Sequence, residues 1–261
     1  MFSRRHFLAS AGAALIATAR PAQAAPLALS LPRTSSTDIV TVRHGPSHAP
    51  YLAMTFDDGP HPSLTPALLD TLRARDIRAT FFVIGSVAAH YPDVIRRIAD
   101  EGHEIGNHTW SHAFLKSLDD DAILDEIDRT SGLIETLTGR APALLRPPYG
   151  ALSPRQRAMV HETRALPSVL WSVDPEDWAD PGAEVVTTRI LSGAQPGAIV
   201  LSHDIRPGTV AAMPDTLDRI RDRGLAFMPM SRLLGHRDWA TLPRRAPAMA
   251  TGPAETVQTS Y

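Results

Sequence analysis

Two neighbouring aspartates, Asp57 and Asp58, stand directly after the apolar run "YLAMTF". Like charges at a strand end repel each other, and no Lys or Arg lies next to them in the chain to compensate. A metal ion would compensate both, and because the chain has no cysteine its ligands must be nitrogen or oxygen atoms. The other interpretation is turn chemistry, since "DDGP" also suits a tight turn.

The segment "HTWSH" contains two candidate ligands, His108 and His112, spaced four residues apart. On a helical turn this spacing points both imidazoles the same way, as metal coordination requires. The pair alone is weak evidence, because a chain with 11 histidines contains such spacings by chance. Together with Asp58 it predicts two His and one Asp around a metal. Asp57 is then free to act as general base on a bound water, whose pKa a metal lowers toward roughly 7.

A hydrolase also needs an acid for the leaving group and a stabiliser for the oxyanion. His203, at the end of "GAIVLSH", is the candidate acid, and Asp174 or Asp177 is expected to keep it protonated by charge pairing. Arg146 is predicted to pair with Asp57 or with one of those two acids. A purely structural salt bridge is equally compatible with its position.

Other aromatic and histidine residues carry weaker signals. Trp171 is expected to pack in the core, whereas Trp178, in the polar stretch "PEDWAD", suits a wall that contacts sugar. His61, His103 and His161 receive no functional role and are expected to be structural or solvated.

The elements that must position these residues alternate along the chain from about residue 51 to 234. Predicted strands are "YLAMTF", "ATFFVIG", "HEIGNHT", "ALLRPPYG", "SVLWSVD", "GAIVLSHD" and "LAFMPM". Predicted helices cover residues 63–76, 92–102, 119–139, 153–163, 182–194 and 213–224. Alternating apolar strands and helices imply a parallel sheet covered by helices.

The number of strands favours a small or distorted (β/α) barrel over an open doubly wound sheet. No GxGxxG follows any strand, which argues against a dinucleotide site. In such folds the active site lies at the carboxyl ends of the strands, and the ionisable candidates above stand at the ends of predicted strands or in the segments that follow them.

The N-terminus has the parts of an export signal, with Arg4 and Arg5 before a short apolar run and an Ala-x-Ala site ending at Ala24. The paired arginines followed by Phe-Leu are typical of the twin-arginine route. The apolar run is short for a membrane span, so residues 1–24 are interpreted as a cleaved signal and the mature protein is expected to be periplasmic or secreted, without stable membrane insertion.

Charge and composition bound the rest of the molecule. The full chain carries a net charge of −2, and removal of three arginines and no acid with residues 1–24 leaves −5. No basic stripe is visible, which argues against nucleic acid as a partner. We predict a linker over residues 25–48, one catalytic domain over 49–236 and a disordered tail over 237–261, and we expect a monomer.

Five segments in order, "TFDDGP", "HTWSH", "RPPYG", "DPEDW" and "LSH", resemble the motifs of NodB-type polysaccharide deacetylases, carbohydrate esterase family four. The resemblance covers about residues 50–235, with no departure at the motif positions. It implies a distorted (β/α)₇ barrel with its active site at the carboxyl ends of the strands, and hydrolysis of N-acetyl groups from N-acetylglucosamine-containing glycans such as chitin-like polymers or peptidoglycan.

The resemblance also implies roles for single residues. Asp57 would be the base, oriented by Arg146, and His203 the acid, tuned by Asp177. The implied metal ligands are Asp58, His108 and His112. The implied substrate-binding residues are Tyr149, whose backbone N–H would hold the oxyanion, and Trp178 and Leu201, which would line the pocket for the acetyl methyl. The implied metal is Zn²⁺, with Co²⁺, Ni²⁺ or Mn²⁺ as alternatives.

Four other functions are compatible with parts of this pattern. Relatives with the same barrel hydrolyse small amides or remove O-acetyl groups from xylan, but export and the intact "RPPYG" and "DPEDW" favour an N-acetylated sugar. An iron oxygenase would leave Asp57 and His203 without a role. A glycosidase needs carboxyls on either side of the scissile bond and would leave the histidine pair unused. A glycan-binding module without catalysis would be expected to lack a ligand or the base.

Overall fold

The computed structural model describes residues 40–242, in which strands and helices alternate. The strands are β1 Thr41–Val42, β2 Tyr51–Asp57, β3 Thr80–Val83, β4 Glu104–Asn107, β5 Ser168–Val169, β6 Ile199–Val200 and β7 Ala226–Phe227. The helices are α1 Leu64–Ala74, α2 Gly85–Ala88, α3 Pro92–Asp100, α4 Asp120–Thr138, α5 Pro154–Arg164, α6 Ala183–Gly193, α7 Pro207–Asp222 and α8 Met230–Leu233. The predicted export signal lies outside the described residues.

All strand pairs of the described residues are parallel. The order β4-β3-β2-β6 forms the main sheet, β7 also pairs with β2, and β1 pairs with β5. Single-residue bridges continue the pairing from Asn107 to Leu145, from Leu145 to Ser168 and from Val173 to Val200. Within residues 40–242 the named strands form two sheets rather than one closed barrel, and the predicted strand "ALLRPPYG" contributes only the bridging residue Leu145.

The central strand β2 and the flanking helices bury the core. Residues 52–57 of β2 are all buried, as a strand covered on both faces should be. Helix α1 buries Thr65, Leu68, Leu69 and Leu72, in the i, i+3, i+4, i+7 pattern of an amphipathic helix, and the three leucines pack in this core. The core therefore fixes the carboxyl end of β2, where the two aspartates stand.

Helix ends follow the capping chemistry written in the sequence. The side chain of Asp119 accepts a hydrogen bond from the N–H of Ala122 at the start of α4, and Gly139, with φ of 73°, ends that helix. Ser153 and Gln156 form a reciprocal capping box at the start of α5. These caps explain why the predicted bounds of both helices lie within one residue of the observed ones.

The outer boundaries of the predicted domain differ from the structure. Strand β1 lies within the segment interpreted as a linker, and its Val42 is buried. At the other end Trp239, in the part of the predicted tail that is described, is fully buried and donates its indole N–H to the carbonyl of Ala141 at 2.8 Å. Every helix within residues 40–242 is too short or too polar to span a bilayer.

The amino-terminal end of β4, opposite the end that leads to the predicted site, holds a buried acid. Glu104 is fully buried and accepts hydrogen bonds from the Thr80 hydroxyl at 3.1 Å and from the N–H of Ser231 at 2.9 Å. Burial raises its pKa to about 7, although these hydrogen bonds work in the opposite direction. Glu104 therefore links β4 to β3 and to helix α8.

Candidate active site

The carboxyl ends of the strands open into one cleft of about 530 Å³. Strand β2 ends at Asp57, β4 ends one residue before His108, and β6 ends three residues before His203. The residues that line the cleft are Asp57, Asp58, His108, His112, Pro147, Tyr149, Trp171, Asp174, Trp178, Leu201, His203 and Arg206. The polar strand ends thus meet in one place, as expected for parallel strands.

Three of these side chains converge on a point that suits a cation. Oδ1 of Asp58 lies 3.3 Å from Nε2 of His108 and 3.3 Å from Nε2 of His112. One ligand atom from each residue lies within 4.8 Å of the others. Oδ1 of Asp58 is buried and has no hydrogen-bond partner among the described residues.

The protonation of His108 supports a cation there. Its Nδ1 lies 2.6 Å from the carbonyl oxygen of Arg146, which only accepts, so Nδ1 carries the hydrogen. That leaves Nε2 as the nitrogen that faces the carboxylate of Asp58 and that can serve as a metal ligand. A carboxylate with two imidazoles is a donor set that zinc and similar ions accept.

Charges near Asp58 favour its ionised form. Burial works to raise its pKa, but the neighbouring His108, His203 and His112 outweigh that effect and lower it to about 2. The pKa of His112 is lowered, chiefly by burial and then by His108. Both shifts leave these side chains in the unprotonated forms that bind metal.

The segment from His108 to His112 is a loop, so it is not a helical turn that points the two imidazoles the same way. Thr109 and His112 have φ of 66° and 59°, left-handed values that are uncommon away from glycine. The side chain of Glu126 accepts hydrogen bonds from the N–H groups of Trp110 and Ser111, both at 2.8 Å. These contacts hold the loop so that both imidazoles face Asp58 without helical geometry.

Asp57 is buried beside the ligands and bound by Arg146. Nη1 of Arg146 donates to Oδ1 of Asp57 at 2.7 Å and to the Thr55 hydroxyl at 2.6 Å. Arg146 is fully buried, which lowers its pKa, while Asp57 raises it. Oδ2 of Asp57 lies 3.8 Å from Nε2 of His108, so one oxygen is fixed by Arg146 and the other faces the predicted metal position.

His203 lies on another side of the cleft and is held by Asp177. The ring Nδ1 of His203 lies 2.7 Å from Oδ1 of Asp177, and the backbone N–H of His203 donates to Oδ2 of the same carboxylate at 2.7 Å. The Thr209 hydroxyl donates to the same Oδ2 at 2.6 Å. Burial lowers the pKa of His203, but Asp177 outweighs that effect and raises it to about 9. Of the two acids left open by the sequence, Asp177 pairs with His203, whereas the Asp174 carboxylate accepts the N–H of Glu176.

Apolar side chains form the walls of the cleft. Leu201 is buried, whereas Tyr149 and Trp178 are 67% and 54% exposed. Tyr149 has φ of 58°, which places it at a sharp turn next to His112. Trp171, expected in the core, packs against core residues and also lines the cleft.

The three unassigned histidines lie outside the cleft lining. Nδ1 of His61 accepts the N–H groups of Ser63 and Leu64 and so caps the start of α1. His103 is fully buried and accepts the N–H of Ala79 at 3.1 Å, and burial lowers its pKa to about 3. His161 lies on α5.

Sequence reasoning missed three polar residues that support the site. The hydroxyl of Thr55 accepts a hydrogen bond from Arg146 and donates one to the carbonyl of Val200 at 2.6 Å. The carboxylate of Asp204, which is fully buried, accepts the hydroxyl of Thr65, and that hydroxyl accepts the N–H of His61 at 2.8 Å. The sequence places Asp204 directly after the candidate acid His203, but it does not show that Asp204 is buried.

Comparison with known proteins identifies the family. The model of the polysaccharide deacetylase family matches residues 44–165. A chitooligosaccharide deacetylase from a Bradyrhizobium strain is 38% identical over 196 residues, which cover 69% of this chain and 89% of the relative. This chain belongs to the polysaccharide deacetylase family.

Two further relatives extend the comparison. The peptidoglycan-N-acetylglucosamine deacetylase PgdA of Listeria monocytogenes is 40% identical over 186 residues, 71% of this chain but only 39% of the relative, so this chain spans about two fifths of that protein's length. A solved peptidoglycan N-acetylglucosamine deacetylase superposes with a TM-score of 0.74 at 33% identity and covers 77% of this chain and 95% of its own. These likenesses confirm the predicted fold class, the parallel α/β fold of the family.

Proposed function

We propose that this deacetylase-family chain is a metal-dependent hydrolase that removes N-acetyl groups from N-acetylglucosamine-containing polysaccharides or oligosaccharides and releases acetate. The convergence of Asp58, His108 and His112 beside the Asp57–Arg146 and His203–Asp177 pairs carries the proposal. The names of the relatives, which act on peptidoglycan or chitooligosaccharides, support this substrate class.

Asp58, His108 and His112 would hold one divalent cation, and the nitrogen and oxygen donors suit Zn²⁺ best, with Co²⁺, Ni²⁺ or Mn²⁺ as alternatives. The cation would supply Lewis-acid chemistry, activating water and polarising the amide carbonyl. Asp57 would accept the proton of the attacking water at Oδ2, because Arg146 already occupies Oδ1. The N–H of Tyr149 would stabilise the oxyanion.

His203 would protonate the leaving amine from Nε2, because Asp177 holds Nδ1. Nε2 of His203 lies 4.0 Å from Oδ2 of Asp58, beyond hydrogen-bond distance, and His203 lines the cleft, so Nε2 is available to a substrate atom. Leu201 and Trp178 would enclose the acetyl methyl, excluding bulkier acyl groups.

Acetate release from a panel of N-acetylated glycans tests this function. The purified Zn²⁺-loaded protein should release acetate from chitin oligomers or peptidoglycan, and chelator treatment should abolish the release. The matched control is Asp57→Asn protein carrying the same metal. Release only from O-acetylated xylan, or from no acetylated glycan at full metal loading, would contradict the proposal.

We further propose that residues 1–24 direct export by the twin-arginine route and that the mature protein acts as a periplasmic or secreted monomer. The support is the sequence alone, with Arg4 and Arg5 before a short apolar run. Changing both residues to Lys should retain the precursor in the cytoplasm, as measured by fractionation and immunoblotting. Unchanged export of that variant would rule out this route.

A further inference from the structure

An aromatic pair extends outward from the metal-ligand side of the cleft. The ring of Tyr149 packs on His112 with centroids 4.8 Å apart, and the ring of Phe114 packs on Tyr149 at 6.1 Å. Phe114 is 50% exposed, and Tyr149 is more exposed still. Phe114 does not line the cleft itself, so it continues the aromatic surface beyond the cleft rim.

The exposure of this pair needs an explanation. A single exposed apolar side chain is ordinary in a soluble protein. Exposed apolar side chains that contact each other beside a cleft are instead typical of a binding surface. The backbone of Phe114 is also fixed, because the next residue, Leu115, is fully buried and the Phe114 carbonyl accepts the N–H of Ser117 at 3.1 Å. A rigid, half-exposed aromatic ring loses little conformational freedom when a ligand packs on it.

We propose that Phe114 and Tyr149 form an outer subsite that stacks on a sugar ring adjoining the sugar that loses its acetyl group. A pyranose presents an apolar face of C–H groups, and aromatic rings pack well against such surfaces. Both rings are uncharged, so they suit packing against the uncharged face of the sugar, which chitin oligomers and peptidoglycan strands share. The inference rests on the proposed function and adds that the enzyme prefers chains to short substrates.

Phe114→Ala tests the subsite through the dependence of rate on chain length. The ratio of kcat/KM for chitopentaose to kcat/KM for chitobiose should fall roughly five- to ten-fold, mainly through a higher KM for the pentamer. Phe114→Trp should retain the wild-type ratio. A parallel series of peptidoglycan fragments of increasing length shows which polymer uses the subsite. Equal losses on both lengths, or an unchanged ratio in both series, would overturn the proposal.

Two controls separate this subsite from other effects. Tyr91, also exposed but outside the cleft lining, gives the matched variant Tyr91→Ala, which should leave the ratio unchanged. Metal content by elemental analysis should be equal in the Phe114 variants. Calorimetric binding of the same oligomers to Asp57→Asn protein tests the subsite without catalysis: length-dependent binding without acetate release by the wild type would overturn the proposed function alone, and length-independent binding would overturn the subsite.

Discussion

At the scale of single residues, the two adjacent aspartates differ in what their oxygens already contact. Oδ1 of Asp57 is bound by the fully buried guanidinium of Arg146, whereas Oδ1 of Asp58 faces two imidazole nitrogens and has no hydrogen-bond partner in the described part of the chain. A carboxylate fixed by arginine suits proton transfer, and one that faces two imidazoles suits a cation. We therefore propose that the two neighbouring carboxylates have different tasks, proton transfer for Asp57 and metal binding for Asp58.

Asp57→Asn and Asp58→Asn should separate these tasks. Asp57→Asn should keep the metal, because an amide oxygen still accepts from Arg146, but should lose activity by roughly 10²–10⁴-fold, as expected for a general base. Asp58→Asn should lose metal, since it removes the ligand charge. Elemental analysis and acetate release on both variants in parallel check this. Metal loss in Asp57→Asn with retention in Asp58→Asn would mean that the two roles are reversed.

The carboxylate of Asp177 should set the alkaline limit of activity. It outweighs the effect of burial and raises the pKa of His203 to about 9. An acid is active only while protonated, so activity falls as pH rises through that pKa. Asp177→Asn removes the charge and should move the alkaline limb of the kcat profile to lower pH at unchanged metal content. An alkaline limb at the wild-type position would show that His203 is not the titrating acid.

The sequence was sufficient to name candidate site residues that the structure brings to one cleft, but the contacts that support them could not be predicted. Asp57, His108 and His203 are recognisable because each follows an apolar strand and carries chemistry. The spacing of His108 and His112 suggested a helical turn, but their convergence comes from left-handed backbone and from the carboxylate of Glu126. Such contacts join residues far apart in the chain and leave no local pattern.

At the scale of elements, the loop after β2 is tied to the loop after β6. The N–H of His61 donates to Thr65, whose hydroxyl donates to the buried carboxylate of Asp204. Gly59 lies directly over that carboxylate, so a Cβ at this position would stand 2.4 Å from Asp204 Oδ2. The loops bearing a proposed metal ligand and the proposed acid therefore hold each other in place.

Gly59→Ala should disturb this junction. The added methyl has no space against a buried carboxylate, so we expect a loss of roughly 1–3 kcal/mol in the free energy of unfolding and weaker metal binding. Gly132→Ala is the control: it lies within α4 with nothing within 4 Å of its Cβ position and should stabilise the protein by about 0.5–1 kcal/mol. Denaturant titration measures both. Equal stability of the two variants would contradict the packing argument.

Element prediction succeeded where the pattern was long. Helices such as α4 and α5 have an apolar period and caps, so their bounds are predictable. Strands of two residues have no period, and the bridge at Leu145 replaces a whole predicted strand. Trp239 lies in an Ala/Thr/Pro-rich segment whose composition indicates disorder, yet its ring fills the core.

At the scale of the whole molecule, ionisable groups occupy both ends of the sheet for different reasons. The carboxyl ends of the strands bring acids and histidines together around a proposed cation and substrate. At the opposite end Glu104 is fully buried, and one of its oxygens, Oε1, has no hydrogen-bond partner among residues 40–242. An acid in this setting contributes to stability in a pH-dependent way.

Glu104→Gln should remove a pH-dependent part of the stability. Burial raises the pKa of folded Glu104 from 4.5 to about 7, so the folded protein keeps the proton where the unfolded chain loses it. The contribution of Glu104 is therefore fully present below about pH 4.5 and declines as pH rises to about 7, by about 3 kcal/mol over that window. Between about pH 4 and pH 8 the free energy of unfolding of Glu104→Gln, measured by urea titration, should therefore rise by this amount relative to that of wild type. The control is Glu184→Gln at an exposed position on α6, whose free energy of unfolding should differ from that of wild type by the same amount at every pH. A Glu104→Gln difference that stays constant with pH would show that Glu104 is ionised in the folded protein and that the contacts of Thr80 and Ser231 outweigh its burial.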